Sequence, residues 1–104
     1  LLSHNSTYTN SKAIYYFNSE HFEWPLIVRP FKQGDRIYLP GMEHAKKVSR
    51  IFIDEKVPVE ERQCLPVITN EDEIVVVGSL RHSKKVSKSK RPFDNCVILI
   101  RDNS

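Results

Sequence analysis

The run EIVVVGSL at residues 73–80 is the feature that most constrains the fold. Four consecutive β-branched apolar residues, Ile74 to Val77, are typical of a strand that is buried on both of its faces. The chain has 104 residues, the size of one ordinary domain, and its 39% of hydrophobic residues suffice for a modest interior. We therefore expect one domain with one core, built around a sheet that contains this strand.

Four other runs have the composition of strands. They combine β-branched or aromatic residues and are bounded by proline or polar residues: AIYYF (13–17), WPLIVRPF (24–31), PVIT (66–69) and CVILIR (96–101). Asn70 to Asp72 are expected to form a hairpin turn, and KQGDRIYLPG (32–41) a turn, a short strand and another turn. The polar residues 1–12 are expected to form a flexible linker, so the domain would span residues 13–104.

The first of two expected helices begins at Glu43 or His44 and ends at Asp54 or Glu55. At 100° per residue, one face is apolar and the opposite face is basic: Val48, Ile51 and Phe52 form the first, and Lys46, Lys47 and Arg50 form the second. A basic outer face is ordinary on a surface helix, so by itself it does not indicate a binding site.

The second expected helix covers VPVEERQCL (57–65). Pro58 suits the first turn of a helix, and Glu60 and Glu61 suit its N-terminal end, where negative charge is favourable. Strands, two short consecutive helices and then more strands predict an α+β fold with a mixed or antiparallel sheet.

Positive charge is concentrated in one segment. The formal net charge is +3, but six basic residues and no acidic residue lie between Arg81 and Arg91, so the other 93 residues carry −3. Such a run is either a solvated loop or a segment that contacts phosphates. Arg29, Lys32 and Arg36 form another basic cluster around Gly34 and Asp35. Asp35 itself is expected to accept backbone N–H bonds in that turn.

The sequence lacks the patterns of common enzyme sites. Its three glycines, Gly34, Gly41 and Gly78, are too widely spaced for a phosphate-binding loop, and no serine has the flanking glycines of a nucleophile elbow. The acidic clusters lie where helix starts and hairpin tips favour them. We therefore expect no catalytic residue in this chain.

Metal binding and a membrane span are not expected either. The four histidines are scattered without ligand spacing. Cys64 and Cys96 are expected to be buried or half-buried free thiols in a reducing cytoplasm, with Cys64 in the core. No apolar run reaches the roughly 18–20 residues that cross a bilayer.

Three segments in this order resemble the C-terminal domain of bacterial tRNA(Ile)-lysidine synthetase: VRPFKQGDRI (28–37), KKVSRIFIDEKVPVEERQCLPVI (46–68) and EIVVVGSLRHS (73–83). The resemblance covers residues 25–85. The positions that match the family pattern are a strand arginine, a Gly-Asp-Arg turn, a Lys-Lys pair, an Ile-Asp-x-Lys-Val-Pro motif, an arginine and a Leu-Pro pair, here Arg29, Gly34 to Arg36, Lys46 and Lys47, Ile53 to Pro58, Arg62, and Leu65 with Pro66.

The resemblance implies a part of a cytoplasmic, ATP-dependent ligase that joins lysine to the wobble cytidine of tRNA(Ile). ATP and Mg would be bound by an N-terminal catalytic domain absent from this chain, which itself would hold no cofactor. This chain would recognise the acceptor stem of the tRNA and adjoin its own catalytic domain. Its fold would be similar to the tRNA-binding domain shared with the phenylalanyl-tRNA synthetase β subunit.

The expected tRNA-binding residues are ten cations: Arg29, Arg36, Lys46, Lys47, Arg50, Lys56, Arg62, Arg81, Lys84 and Lys85. One alternative stays open at this point. The domain would instead dock on its catalytic domain or form a homodimer without touching tRNA, using the apolar runs IVVV (74–77) and VILI (97–100) as its interface.

Overall fold

The computed structural model describes residues 11–101, which form eight strands, two α-helices and a 3-10 helix at Ser19–His21. The elements are β1 (Ser11–Phe17), β2 (Leu26–Arg29), β3 (Arg36–Ile37), β4 (Lys46–Lys47), α1 (Val48–Asp54), α2 (Val59–Arg62), β5 (Val67–Asn70), β6 (Glu73–Val77), β7 (Arg81–His82) and β8 (Cys96–Arg101). Residues 1–10 of the predicted linker lie outside the described residues, and residues 11 and 12 belong to β1.

All strand pairs among residues 11–101 are antiparallel, and they form three small sheets. Four strands pair in the order β2-β5-β6-β7, while β1 pairs with β8 and β3 pairs with β4. With two short helices between β4 and β5, this is the predicted α+β fold with antiparallel pairing. The expectation of one sheet was too simple, because the strands divide among three.

Strand β6 lies between β5 and β7, and Ile74 to Val77 are all buried, as predicted. The register with β5 skips Val75, because Val76 and Ile74 pair with successive residues of β5; Val75 is the extra residue of a β-bulge. Consequently Val75 and Val76 belong to one apolar cluster, whereas Ile74 and Val77 belong to a second. The interior therefore consists of two clusters rather than the one core expected.

The first cluster contains the inward side chains of β1 and β8. The ring centroids of Phe17 and Phe22 are 4.5 Å apart, and Ile100 packs in the same cluster. The buried Tyr15 hydroxyl donates a 3.0 Å hydrogen bond to the Gly78 carbonyl, which ties β1 to the turn after β6. Burial raises the pKa of Tyr15 to about 12.

Helix α1 buries the predicted face but begins later than predicted. Val48, Ile51 and Phe52 are buried in the second cluster. Lys46 and Lys47 are not helical, because they pair with β3, and the Val48 N–H then donates to the Asp35 carbonyl at 2.9 Å. The expected start at residue 43 or 44 was wrong, since this long-range pairing holds residues 46 and 47 extended.

The segment that follows α1 also departs from two expectations. Helix α2 exists, with Pro58 at its N-cap, but it covers only Val59–Arg62 of the predicted 57–65. Cys64 follows it and is exposed, so its expected burial was wrong, whereas Cys96 is half-buried as expected. The short helix brings Leu65, and not Cys64, against the second cluster.

The basic segment between residues 81 and 91 is folded onto the sheet. Its first two residues form β7, and Ser83 and Val86 are buried. Ser87 exchanges two backbone hydrogen bonds with Tyr16, at 2.7 and 2.9 Å. The lysines of this segment therefore project from a fixed backbone. No helix in the described part of the chain is long and apolar enough to cross a membrane.

Candidate nucleic-acid interface

The turn that precedes β3 is fixed by a two-point ion pair. Arg29 Nη1 and Nη2 donate to the two Asp35 carboxylate oxygens at 2.9 and 3.0 Å, and the Lys32 N–H donates to the same carboxylate at 2.8 Å. Partial burial acts to raise the pKa of Asp35, but these bonds outweigh it and the pKa lies below its usual value. As expected, Asp35 accepts a backbone N–H bond. Arg29 thus holds the turn that leads to Arg36.

Two of the predicted site cations share one carboxylate on α1. Lys46 Nζ lies 2.8 Å from an Asp54 oxygen, and Arg50 Nε lies 3.3 Å from the other. Strand β4 and the last turn of α1 therefore meet through Asp54. The charge of the basic face predicted for this helix is partly neutralised within the protein.

Two further cations pair with acidic residues that are distant in sequence. Arg81 forms an ion pair with Glu55, just after α1, and Lys85 Nζ lies 2.8 Å from a Glu73 oxygen. All four side chains are partly exposed. Exposed pairs contribute only about 0–1 kcal/mol each, so either cation can exchange its partner for a phosphate at small cost.

Arg62 has a different environment from the other predicted site residues. Its Nε donates to the Val57 carbonyl at 3.0 Å, and its guanidinium carbon lies 5.8 Å from the centroid of the Phe52 ring. This distance is typical of a cation–π contact. Arg62 therefore joins α2 to the buried face of α1.

Arg36 and Lys47 stand directly opposite each other on the two-stranded ribbon of β3 and β4. Both are exposed, and neither makes an ion pair with any residue from 11 to 101. Opposed residues on antiparallel strands have Cβ atoms about 4.5–5.5 Å apart, and like charges at that spacing repel. We call this pair the basic ribbon. It is a site where a bound anion would relieve the repulsion.

An open cleft lies beside the basic ribbon. It has a volume of about 530 Å³ and is lined by Arg36, Tyr38, Lys85 and the β5–β6 hairpin residues 70–74. Tyr38 is half-exposed. The cleft thus combines two cations and an aromatic ring with the acidic tip of the hairpin.

The ten predicted cations therefore fall into three groups. Five are in ion pairs, namely Arg29, Lys46, Arg50, Arg81 and Lys85, and Arg62 contacts a carbonyl and a ring. Four are without an acidic partner in the described part of the chain, namely Arg36, Lys47, Lys56 and Lys84. The structure brings Arg36 together with Lys47 and Lys85, whereas Lys56 follows α1 and Lys84 lies on a second cleft with Lys85.

Sequence reasoning missed two exposed aromatic residues next to these cations. Tyr38 follows Arg36 by two positions, and Phe93 follows Arg91 by two positions with 81% of its surface exposed. Aromatic residues interleaved with basic ones are a signal of nucleic-acid contact, because bases stack on exposed rings. That signal was present in both segments.

Comparison with known proteins assigns the chain to a family. The family sequence model described as "TilS substrate C-terminal domain" matches residues 26–93, which is more than half of the chain. The chain belongs to the TilS C-terminal domain family. The resemblance inferred from the residues is thus confirmed. Within residues 11–101, this TilS C-terminal domain has no group of three or more His, Cys, Asp or Glu side chains that could hold a metal ion.

Several relatives of this chain are named tRNA(Ile)-lysidine synthase. The protein of Bacillus subtilis strain 168 is 39% identical over 75 residues, covering 71% of this chain and 16% of the relative. The protein of Caldanaerobacter subterraneus subsp. tengcongensis is 33% identical over 97 residues, covering 93% of this chain and 21% of the relative. The chain therefore spans only a small part of the length of these curated relatives.

A solved structure confirms the fold. The chain matches a crystal structure of a TilS C-terminal domain with a TM-score of 0.74 and 27% identity, over 90% of this chain and 74% of that one. The small antiparallel sheets with two short helices are therefore the architecture of the TilS C-terminal domain.

Proposed function

We propose that this chain is the tRNA-recognition module of a tRNA(Ile)-lysidine synthase and contacts the acceptor stem of tRNA(Ile). The basic ribbon is the observation that carries the proposal. Arg36 and Lys47 are exposed, opposed and without an acidic partner among residues 11–101. Repulsion between them costs stability in the free protein. A bound phosphate backbone would remove that repulsion. In addition, each phosphate that a cation neutralises releases condensed counterions, which favours binding.

The chemistry of an A-form stem suits this surface. Its deep major groove excludes side chains, so proteins recognise the phosphates and the 2′-hydroxyls. Arg36 and Lys47 would contact phosphates first, with Lys85 reaching the same strand across the cleft. The remaining predicted cations would follow the backbone further or position the primary contacts: Arg29, Lys46, Arg50, Lys56, Arg62, Arg81 and Lys84.

The activity proposed for the parent protein rests on the names of the relatives and on what the family resemblance implies. That protein would be a cytoplasmic ligase that uses ATP to join lysine to the wobble cytidine of tRNA(Ile). ATP and Mg would be held by a catalytic domain outside this chain, since the three glycines here stand in three separate turns. A likeness to the tRNA-binding domain of the phenylalanyl-tRNA synthetase β subunit is part of this proposal and supports an RNA-facing role by analogy.

Binding to tRNA(Ile) tests the proposal directly. We expect the double variant Arg36→Ala/Lys47→Ala to weaken binding by about tenfold. The plot of log affinity against log salt concentration should become shallower, its negative slope smaller in magnitude by roughly 2, one unit for each lost phosphate contact. Its fold should be unaffected, because both residues are exposed. The measurement is binding of a tRNA(Ile) transcript at several salt concentrations.

The matched control removes the same charge from another part of the fold. Lys12 and Arg101 are exposed on the β1–β8 pair, so Lys12→Ala/Arg101→Ala should leave the salt slope near that of the unsubstituted chain. Transcripts that lack the acceptor stem should bind weakly. Equal effects of the two double variants, or equal binding with and without the stem, would contradict the proposed site.

One observation favours the alternative of a docking or dimerisation module. Of the two runs expected to supply the interface, 74–77 is buried and cannot do so, and in 97–100 only Val97 is exposed. However, Ile27 and Val28 are both exposed on β2, which is one of the two edge strands of the four-stranded sheet. Sedimentation across a range of protein concentrations distinguishes the two functions, because self-association that Val28→Lys abolishes would support an interface on this edge.

A further inference from the structure

A second basic surface adjoins the cleft beside the basic ribbon and surrounds an exposed aromatic side chain. Phe93 is the most exposed large hydrophobic residue in the described part of the chain, with 81% of its surface accessible. A single exposed apolar residue is common in proteins and means little alone. Two features distinguish Phe93 from such a residue, namely the ordered loop that carries it and the cations beside it.

The loop on the N-terminal side of Phe93 is fixed by a buried carboxylate. One Asp94 oxygen accepts hydrogen bonds from both the backbone N–H and Nε of Arg91, each at 2.9 Å, and the Asp94 N–H donates to the Arg91 carbonyl at 3.0 Å. Arg91 Nη2 also donates to the Lys85 carbonyl at 3.2 Å. The Asp94 side chain is only 3% exposed. The buried carboxylate thus stabilises a tight turn from Arg91 to Asp94, and Phe93 is one of the residues of this turn.

The C-terminal side of the loop is fixed to β1 and the segment after it. The Asn95 N–H donates to the Phe17 carbonyl at 3.0 Å, and the Asn95 side-chain oxygen accepts from the Ser19 N–H at 2.9 Å. Both ends of the turn are therefore attached to the body of the domain. Phe93 is held in solvent by a formed backbone, so a ligand would bind it without the entropic cost of ordering the loop.

The cleft beside Phe93 is basic. It has a volume of about 300 Å³ and is lined by Asn18, His21, Lys84, Lys85, Arg91 to Phe93 and Asp94. The one carboxylate, Asp94, is occupied by Arg91. Lys84 is exposed and makes no ion pair with residues 11–101. The surface therefore offers an exposed aromatic ring beside Lys84, which has no acidic partner among residues 11–101, and beside two cations that are already in ion pairs, Lys85 and Arg91.

We propose that Phe93 is a stacking platform for the base of an unpaired nucleotide whose phosphate is bound by Lys84. Paired bases inside a stem have no free face, so the ligand must be a single-stranded end or a loop. Lys85 lines this cleft and also the cleft beside the basic ribbon, so the two surfaces are continuous. The inference rests on the proposed function, because it assigns to the same RNA a second point of contact beyond the stem.

The test compares two hairpin RNAs that share one stem, one blunt-ended and one with a four-nucleotide single-stranded 3′ extension. We expect the extension to strengthen binding to the chain by roughly 5- to 150-fold, the effect of stacking one base on an aromatic ring. Phe93→Ala should abolish that gain while leaving affinity for the blunt hairpin unchanged. Phe93→Trp should keep it, and 2-aminopurine placed in the extension should be quenched by the unsubstituted chain and by Phe93→Trp only.

The outcomes separate this inference from the proposed function. Binding of both hairpins with no gain from the extension, or a gain that survives Phe93→Ala, would overturn the stacking platform and leave stem recognition intact. Failure to bind either hairpin would overturn both. Concentration-dependent self-association that Phe93→Ala removes, without a gain from the extension, would assign Phe93 to a protein contact and also overturn the inference.

Discussion

Replacement of Phe52 by alanine is expected to lower the free energy of unfolding by about 3–5 kcal/mol. The Phe52 ring is fully buried between α1 and the sheet, with the ring of Phe31 packed edge-on at 5.1 Å and the Arg62 guanidinium at 5.8 Å. Truncation would leave a cavity among these neighbours and remove the aromatic partner of Arg62. This loss is a large fraction of the total free energy of unfolding, which is only about 5–15 kcal/mol for a native domain.

Thermal unfolding measures this effect, and we expect the midpoint to fall by about 12 °C or more. Ile53→Ala is the matched control, because Ile53 is the next residue of α1 but is 55% exposed. It should change the stability by less than about 1 kcal/mol, since alanine favours the helix and little buried surface is lost. A fall of under about 5 °C for Phe52→Ala would show that the ring contributes little to the core.

Features that depend on neighbouring residues were predictable from the sequence. The buried face of α1 follows from the spacing of Val48, Ile51 and Phe52, and the central position of β6 follows from its continuous β-branched run. Pro58 marked the start of α2. In each of these cases the side chains of one short segment contain the information.

Features that depend on distant residues were not predictable in this way. Helix α1 begins at Val48 because Lys46 and Lys47 pair with β3, about ten residues earlier in the chain. The bulge at Val75 reflects the register with β5, which single-strand periodicity does not specify. Cys64 is exposed because α2 ends at Arg62, within the span predicted to be helical.

In the candidate site, too, some features depend on neighbouring residues and were predictable, whereas others depend on distant residues and were not. The sequence and the family resemblance indicated which cations to consider, but not which of them are neutralised inside the protein. Asp54 accepts Lys46 and Arg50 because β4 enters α1 directly, and Glu73 reaches Lys85 across the end of β6. The exposed pair of Arg36 and Lys47 arises only when β3 and β4 meet. Tertiary contacts therefore select the small set of free charges from the larger basic surface.

The second large effect is expected at Asp35, where Asp35→Ala should lower the free energy of unfolding by about 2–3 kcal/mol. This lies between the values for exposed and buried ion pairs, because the Asp35 side chain is 10% exposed and that of Arg29 is 21% exposed. The substitution removes the acceptor of both Arg29 nitrogens and of the Lys32 N–H. It also loosens the turn before Arg36, so tRNA binding should weaken in a variant that remains folded.

The pH dependence of the free energy of unfolding distinguishes the contribution of the Asp35 negative charge from that of its side-chain size and packing. Its pKa is lowered in the folded state, so its stabilisation is complete above the unfolded-state pKa of about 3.9 and is lost as the pH falls through the lower folded-state pKa. The stability difference between the unsubstituted chain and Asp35→Asn, measured by urea unfolding, should therefore be constant from pH 7 to about pH 5 and shrink below about pH 4.

Asp72→Asn supplies the control for the same titration, because Asp72 is exposed in the turn between β5 and β6. It should change the stability by less than about 0.5 kcal/mol at every pH. If Asp35→Asn had an equally small effect at pH 7, the ion pair with Arg29 would not stabilise the turn. Arg36 would then be positioned by its pairing with Lys47 alone, and the two substitutions at Asp35 would leave the salt dependence of tRNA binding unchanged.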